Sequence, residues 1–385
     1  MGLLQYSFPQ SEYTTRNEKA KKLMEEAGLD ALFITDACNY WYFTGIRVTR
    51  HIMRPSLAII PRDGEPALVS YRSFLSRTTF QDERFTWIKD QRPYVDVPFN
   101  NDPVKDWGIK SIIEDRGLSK GTIGTELGVD TRFNLPYNDF VKLQRDFPKA
   151  KFVDASKIFW GLRLIKSEAE LNLMRKACEI NGRAFERLLN TIEIGMTIDE
   201  VEKLLYMYFV KEGADQYGAG VGVLKGASGP NGTFKRGDIL KADYGSYYKG
   251  YGSDICRLAI FGEPTEEQKK YDKIALDLLQ SCMDVIKAGI KISDIHSVCN
   301  TVLKREGLTL MLPGKRIGHG FGIEAEPPSI NAIDNTILKP GMILTPEPRF
   351  SINQRTYMYE ETIVVTKDSY ECLSKTPPRE LRIIK

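Results

Sequence analysis

The stretch 241–257, KADYGSYYKGYGSDICR, constrains this chain more than any other. Its tyrosines, glycines and alternating positions predict a β-hairpin, with a strand over 239–248, a turn at Lys249-Gly250 and a second strand from Tyr251. Such a hairpin sets Asp243 and Asp254 on facing strands. Two carboxylates so placed repel unless a cation lies between them. A divalent metal ion meets that need, because hard cations take oxygen ligands. On this stretch alone, two solvent-facing aspartates would read the same way.

Three further residues of ligand type follow in order: His319 in GHGFGIEAEPP, Glu347 in LTPEPRF and Glu360 in YMYEETIVVT. With them the sequence resembles the pita-bread metallopeptidase superfamily, which includes prolidase, aminopeptidase P, methionine aminopeptidase and creatinase. The resemblance matches the family's metal ligands residue by residue to Asp243, Asp254, His319, Glu347 and Glu360. It implies two divalent metal ions, and a set of four carboxylates and one imidazole suits Mn, Fe(II), Co or Zn. It also implies a dinuclear-metal-dependent hydrolase similar to Xaa-Pro dipeptidase and aminopeptidase, in which a metal-activated water attacks a peptide or amide carbonyl. Glu347 would then be both ligand and proton acceptor.

The expected architecture is an α/β creatinase-like N-terminal domain, 1–158, followed by an α+β pita-bread domain, 159–385. A length of 385 residues suits two domains. Residues 11–28 predict a helix capped by Ser11 and stopped by Gly28. A short apolar strand, 31–35, precedes Asn39, Tyr42 or Tyr40, Thr44 and Gly45, which look like an N-x-x-Y-x-T-G element of the creatinase/prolidase N-terminal domain. Residues 56–61 and 66–71 form a hairpin across Arg62-Asp63-Gly64. Strands at 122–125 and 151–154 and a helix over 135–147 complete this part. The boundary falls within 154–166. Beyond it, Ser167 and Glu170 form a capping box for a helix over 169–192. Further helices are expected over 197–211, 266–288 and 293–306, covering the outer face of a curved antiparallel sheet.

Composition narrows the partners. The hydrophobic fraction is 42%, the charged fraction 27% and the net charge +3, which gives no argument for nucleic acid or an anionic membrane. No run approaches a membrane span, and the N-terminus lacks a secretory pattern. The scattered cysteines, without a C-x-x-C pair, read as free thiols of a reducing compartment, so a cytoplasmic protein is expected. The resemblance implies a homodimer and a small-molecule or short-peptide substrate.

The chain also departs from the family pattern. After Ala227-Ser-Gly-Pro-Asn231 the substrate-binding histidine of the prolidase branch is absent, and so is the second histidine after His319. Glu326 stands at that second position or one residue beyond it. Glu324 and Glu326 are therefore candidate acids or bases, provided burial raises their pKa. Arg349 stands where the family usually has Gly, which puts a guanidinium, a candidate substrate contact, two residues from a metal ligand. The basic run Arg47, Arg50, His51 and Arg54 is a candidate grip for a substrate carboxylate. Tyr217, Tyr244 and Tyr247 are candidate pocket residues. Intact metal ligands with missing histidines also fit a second chemistry on a small carboxylate, either C–S elimination like that of dimethylsulfoniopropionate lyase or creatinase-like C–N cleavage.

Overall fold

A computed structural model describes residues 7–47, 56–71, 86–94, 108–215, 223–310, 316–374 and 378–385. The chain separates into two compact units, Met1–Leu162 and Arg163–Lys385.

The first unit is built on a six-stranded mixed sheet. Its strands are β1 (Ala31–Ile34), β2 (Leu57–Pro61), β3 (Ala67–Tyr71), β4 (Asp90–Tyr94), β5 (Thr122–Thr125) and β6 (Lys151–Asp154), in the order β4-β3-β2-β1-β5-β6. The expected hairpin is the antiparallel pair β2–β3. Phe33, Ile59, Val69, Ile112, Ile123 and Leu143 make up much of its core. The first helix runs Gln10–Ala27 and is entered from Pro9, so Ser11 is not its cap. Gly28, at φ 68°, ends it in the left-handed conformation that costs glycine least. The Asn39–Gly45 element lies on a helix, Ala37–Thr44, whose first amides are held by the Asp36 carboxylate. Behind it Glu126 is buried and accepts hydrogen bonds from Thr35 N, Thr35 Oγ1 and Asn39 Nδ2. Burial nevertheless pushes its carboxyl up to about 7, against the effect of those hydrogen bonds.

The second unit begins with the capping box of Ser167 and Glu170 at the head of the helix Glu168–Leu189. A matching box, Thr197 with Glu200, starts the helix Ile198–Glu212. Two sheets follow. One has the order β19-β11-β8-β7, from β7 (Val223–Lys225), β8 (Ile239–Tyr244), β11 (Ile255–Phe261) and β19 (Arg382–Ile384). The other has the order β13-β12-β14-β17-β18, from β12 (Gly318–Phe321), β13 (Ala325–Ser329), β14 (Ile343–Pro346), β17 (Ile363–Val365) and β18 (Tyr370–Cys372). The backbones of Cys256 and Glu360 bridge between them.

Strand alternation sorts β8 into two faces. Leu240, Ala242 and Tyr244 pack with Phe185, Val201 and Phe209 of the first two helices. On the opposite face Ile239 belongs to a second core, which includes Leu278 and Leu303 from the helices Glu266–Asp284 and Ile292–Arg305. Lys241 and Asp243 share the parity of Ile239 and look toward the second sheet.

Candidate metal centre

The predicted hairpin forms, but in two pieces. β8 and β11 pair through Asp243↔Cys256 and Tyr244↔Ile255. Beyond a break at Gly245-Ser246 and Ser253-Asp254, β9 (Tyr247–Tyr248) and β10 (Tyr251–Gly252) continue in the same register. The expected continuous strand over 239–248 is therefore interrupted. At the break a side chain on Gly245 would come within 2.1 Å of the Ser253 carbonyl oxygen, so only glycine lets the two backbones close there. Lys249 and Gly250 both have positive φ, 46° and 84°, as a two-residue hairpin turn needs. Asp215 holds this turn by accepting from both amides, at 2.9 and 2.6 Å.

Asp254 sits two positions from Cys256, so Asp243 and Asp254 are diagonal neighbours on one face of the hairpin. The Asp254 amide donates to Thr362 Oγ1 at 3.0 Å, and that hydroxyl donates back to the Asp254 carbonyl at 2.7 Å. Glu360, two residues before Thr362, is brought beside them by its backbone bridge to Cys256. Its neighbour Glu361 points the other way, into a buried pair with Arg257 at 3.0 Å. Arg257 also donates to the Glu360 carbonyl at 2.8 Å.

His319 comes from β12, between β13 and β14. Its Nδ1 donates to the Gly320 carbonyl at 2.9 Å, which leaves Nε2 as the nitrogen with a free lone pair. Nε2 lies 3.7 Å from Asp254 Oδ2. Burial lowers the imidazole pKa to about 4, so it is neutral at pH 7, the form that binds metals. Asp254, His319 and Glu360 each present a ligand atom within 4.8 Å of the other two.

The electrostatics place Asp243 and Glu347 in the same cluster. The Asp254 carboxyl is raised well above its ordinary value, first by burial and then by the charges of Asp243 and Glu347. Glu360 is raised well above its own by burial and by the charges of Asp254, Glu347 and Asp243. Glu347 is raised by burial and Asp243, against the pull of Arg349. Glu360 is 1% exposed, and its Oε1 has no hydrogen-bond partner. Crowded carboxylates, a neutral imidazole and an unpartnered buried oxygen fit a divalent cation, which relieves all three at once.

Residues 172–367 match metallopeptidase family M24, and residues 16–165 match the creatinase/prolidase N-terminal domain. The chain belongs to metallopeptidase family M24. It is 27% identical over 378 residues to a Xaa-Pro dipeptidase of Pyrococcus horikoshii, covering 95% of this chain and 99% of that one. An uncharacterized peptidase of Bacillus subtilis is also 27% identical, with the same coverage. Among solved structures, an X-Pro aminopeptidase from Thermotoga maritima superposes with a TM-score of 0.81 at 25% identity, over 96% of this chain and 99% of that one. The two-domain pita-bread architecture expected from the sequence is thus the one observed, and M24 enzymes are divalent-metal-dependent peptidases.

Several expected roles in this M24 chain need correction. A role for Glu326 as acid or base required burial to raise its pKa. Burial does act in that direction, but Arg163 and Lys166 outweigh it and hold the carboxyl below its ordinary value. Its oxygens accept from Arg163 Nη2 and Lys166 Nζ, each at 2.8 Å, and from the Ile323 amide at 3.2 Å. Such a carboxylate is a structural anion and does not trade protons near neutrality. Glu324 accepts from the same guanidinium at 2.9 Å. Tyr244 is not a substrate contact either. It is fully buried on the helix-facing side of β8, stacked on Phe185 at 5.1 Å.

Arg349 does lie at the centre, bound to Glu347 Oε2 at 2.5 Å. Tyr247 is half-buried, 6.2 Å from the Phe321 ring, two residues along β12 from His319. Arg50, His51, Arg54 and Tyr217 lie outside the described residues. His296 is on the helix Ile292–Arg305, where its Nδ1 meets Asn300 Nδ2 at 3.2 Å.

Lys241 was given no role from sequence, although its position two residues before Asp243 on a strand announces a shared face. Its Nζ is 3.0 Å from Asp243 Oδ2. Thr345, whose hydroxyl lies 3.3 Å from His319 Nδ1 and donates to the His319 carbonyl at 3.3 Å, was also missed. No described helix is long and apolar enough to cross a membrane.

Proposed function

We propose that this chain is a peptidase that cleaves Xaa-Pro dipeptides or the first bond of short Xaa-Pro-leading peptides. The observation that carries this is the grouping of Asp254, His319 and Glu360, with the charges of Asp243 and Glu347 acting on it. It is supported by near full-length similarity to a Xaa-Pro dipeptidase and an X-Pro aminopeptidase. A divalent ion bound there supplies Lewis acidity and a water of lowered pKa. Asp254, His319 and Glu360 would hold it. The hydrogen bond of His319 Nδ1 to Gly320 keeps Nε2 aimed inward, and Thr362 holds the Asp254 backbone. Glu347, raised by burial, is the carboxylate suited to accept a proton, and Arg349 orients it. The number of ions is a separate question, because Lys241 and Arg349 compete for the same carboxylates.

The test is hydrolysis of a panel of Xaa-Pro dipeptides and Xaa-Pro-leading peptides by protein stripped of metal and reloaded with Mn, Co, Fe or Zn. Turnover that requires metal and disappears in Asp254→Ala is the expected result. A fully metallated protein with no turnover on the panel would overturn the substrate assignment. One observation favours a second reading: Glu326 is tied into ion pairs and replaces neither missing histidine. In that reading the cluster acts on a small carboxylate by elimination or C–N cleavage. Turnover of sulfonium or betaine compounds by the protein inactive on peptides would establish it.

A further inference from the structure

We infer that Lys241 and Arg349 are built-in counter-ions that take the place of one divalent ion, so that this chain holds a single metal ion on Asp254, His319 and Glu360. The inference rests on the cluster being a metal site, as proposed above, and changes the expected count from two ions to one.

The grouping that closes to 4.8 Å consists of Asp254, His319 and Glu360. Asp243 and Glu347 do not join it. Each is engaged by a cation of this chain: Asp243 Oδ2 by Lys241 Nζ at 3.0 Å, and Glu347 Oε2 by Arg349 Nη1 at 2.5 Å. The two cations approach each other around one side chain, with Arg349 Nη1 at 3.4 Å and Lys241 Nζ at 4.0 Å from Met358 Sδ. The Lys241 side chain is 9% exposed and that of Arg349 23%, so solvent screens neither fully.

Charge balance gives the count. Four carboxylates face the cluster, and Lys241 and Arg349 neutralise two of them. One divalent ion balances the remainder. A second would leave a surplus of positive charge in a buried site, with an ammonium already beside the carboxylate it needs. The unpartnered Glu360 Oε1, 1% exposed in its residue, belongs to the half of the cluster that the cations leave open. Arg316, which is exposed, adds its positive charge to the field on Asp254 and Glu347.

The experiment is metal titration of the stripped full-length chain with Mn(II), read by native mass spectrometry and by electron paramagnetic resonance. Wild type is expected to take one equivalent with an uncoupled six-line signal. A second ion should bind at least about 100-fold more weakly. Lys241→Met and Arg349→Gly are expected to admit a second ion and give an exchange-coupled spectrum. Arg349 is partly exposed, so its variant carries the test if Lys241→Met does not fold. Two ions of similar affinity in wild type would overturn the inference while leaving the metal site intact. One ion in wild type and also in folded variants would overturn the role of the cations. No ion in wild type would remove the metal reading of the cluster, and this inference with it.

Discussion

Two groups of buried carboxylates lie along the β12–β13 hairpin and its neighbours, and the protein treats them in opposite ways. Glu326 and Glu324 are closed off by Arg163 and Lys166, and Glu326 is held as an anion. Asp254, Glu347 and Glu360 share too few cations, and all three are pushed toward the protonated form. Glu324, Glu326, Glu347 and Glu360 are all buried, and Asp254 is partly so. What differs is the supply of positive charge from the chain itself. Where it is complete, the group is a structural joint between the start of the unit and the hairpin that carries His319. Where it is incomplete, the group is a site for a cation from outside. Glu126, in the first unit, supplies the third case: several neutral donors and a carboxyl still raised to about 7. Hydrogen bonds alone do not replace a countercharge at full burial.

The strongest way to break this contrast is at the open cluster. Asp254→Ala should reduce metal-dependent turnover on the order of 10³-fold or more and remove stoichiometric metal. Steady-state kinetics with metal analysis would check it, and retained metal with retained rate would end the assignment of that cluster. At the closed cluster, Arg163→Met should cost about 3–5 kcal/mol in a urea melt, because Glu326 loses its shared guanidinium in a buried place. Its metal content, per folded protein, should stay at the wild-type value. Wild-type stability would mean that the ion pairs are dispensable.

Glu126 sharpens the comparison through pH. Its folded pKa, about 7, lies above the ordinary 4.5, so the folded state binds this proton more tightly. The stability it contributes is full below about 4.5 and is lost as pH rises through about 7. Relative to Glu126→Gln, wild type should lose on the order of 3 kcal/mol across that window. A difference in stability that is flat with pH would refute this. The smallest effect concerns orientation. Thr345→Val removes the hydroxyl beside His319 and Glu360, and should weaken metal affinity about 10- to 100-fold by calorimetry. Unchanged affinity would show that the Gly320 carbonyl alone orients the imidazole.

Much of the local structure was legible from residues alone. Capping boxes such as Ser167 with Glu170 mark helix starts because the reciprocal hydrogen bonds need only neighbours in sequence. Strands β5 and β6 have the bounds expected of them, 122–125 and 151–154. The first helix was misplaced at its start, because Pro9 satisfies the geometry of entry without a capping side chain. The break in the central hairpin was not legible either, since it follows from a close approach between Gly245 and Ser253.

The candidate ligands could be named from sequence because the short segments that carry them resemble, in type and order, the motifs of a known family. Their charge environment could not. Arg163 and Lys166 stand about 160 positions from Glu326, and the pairing that converts it from a candidate base into a structural anion exists only after the unit folds. Tyr244 reads as a pocket residue until strand alternation turns it toward Phe185. Sequence by itself determined which groups are available, because that depends on residue type and local periodicity. Tertiary structure decided which of them share a dielectric environment and a countercharge, because Coulomb energy depends on distance and burial and not on position in the chain.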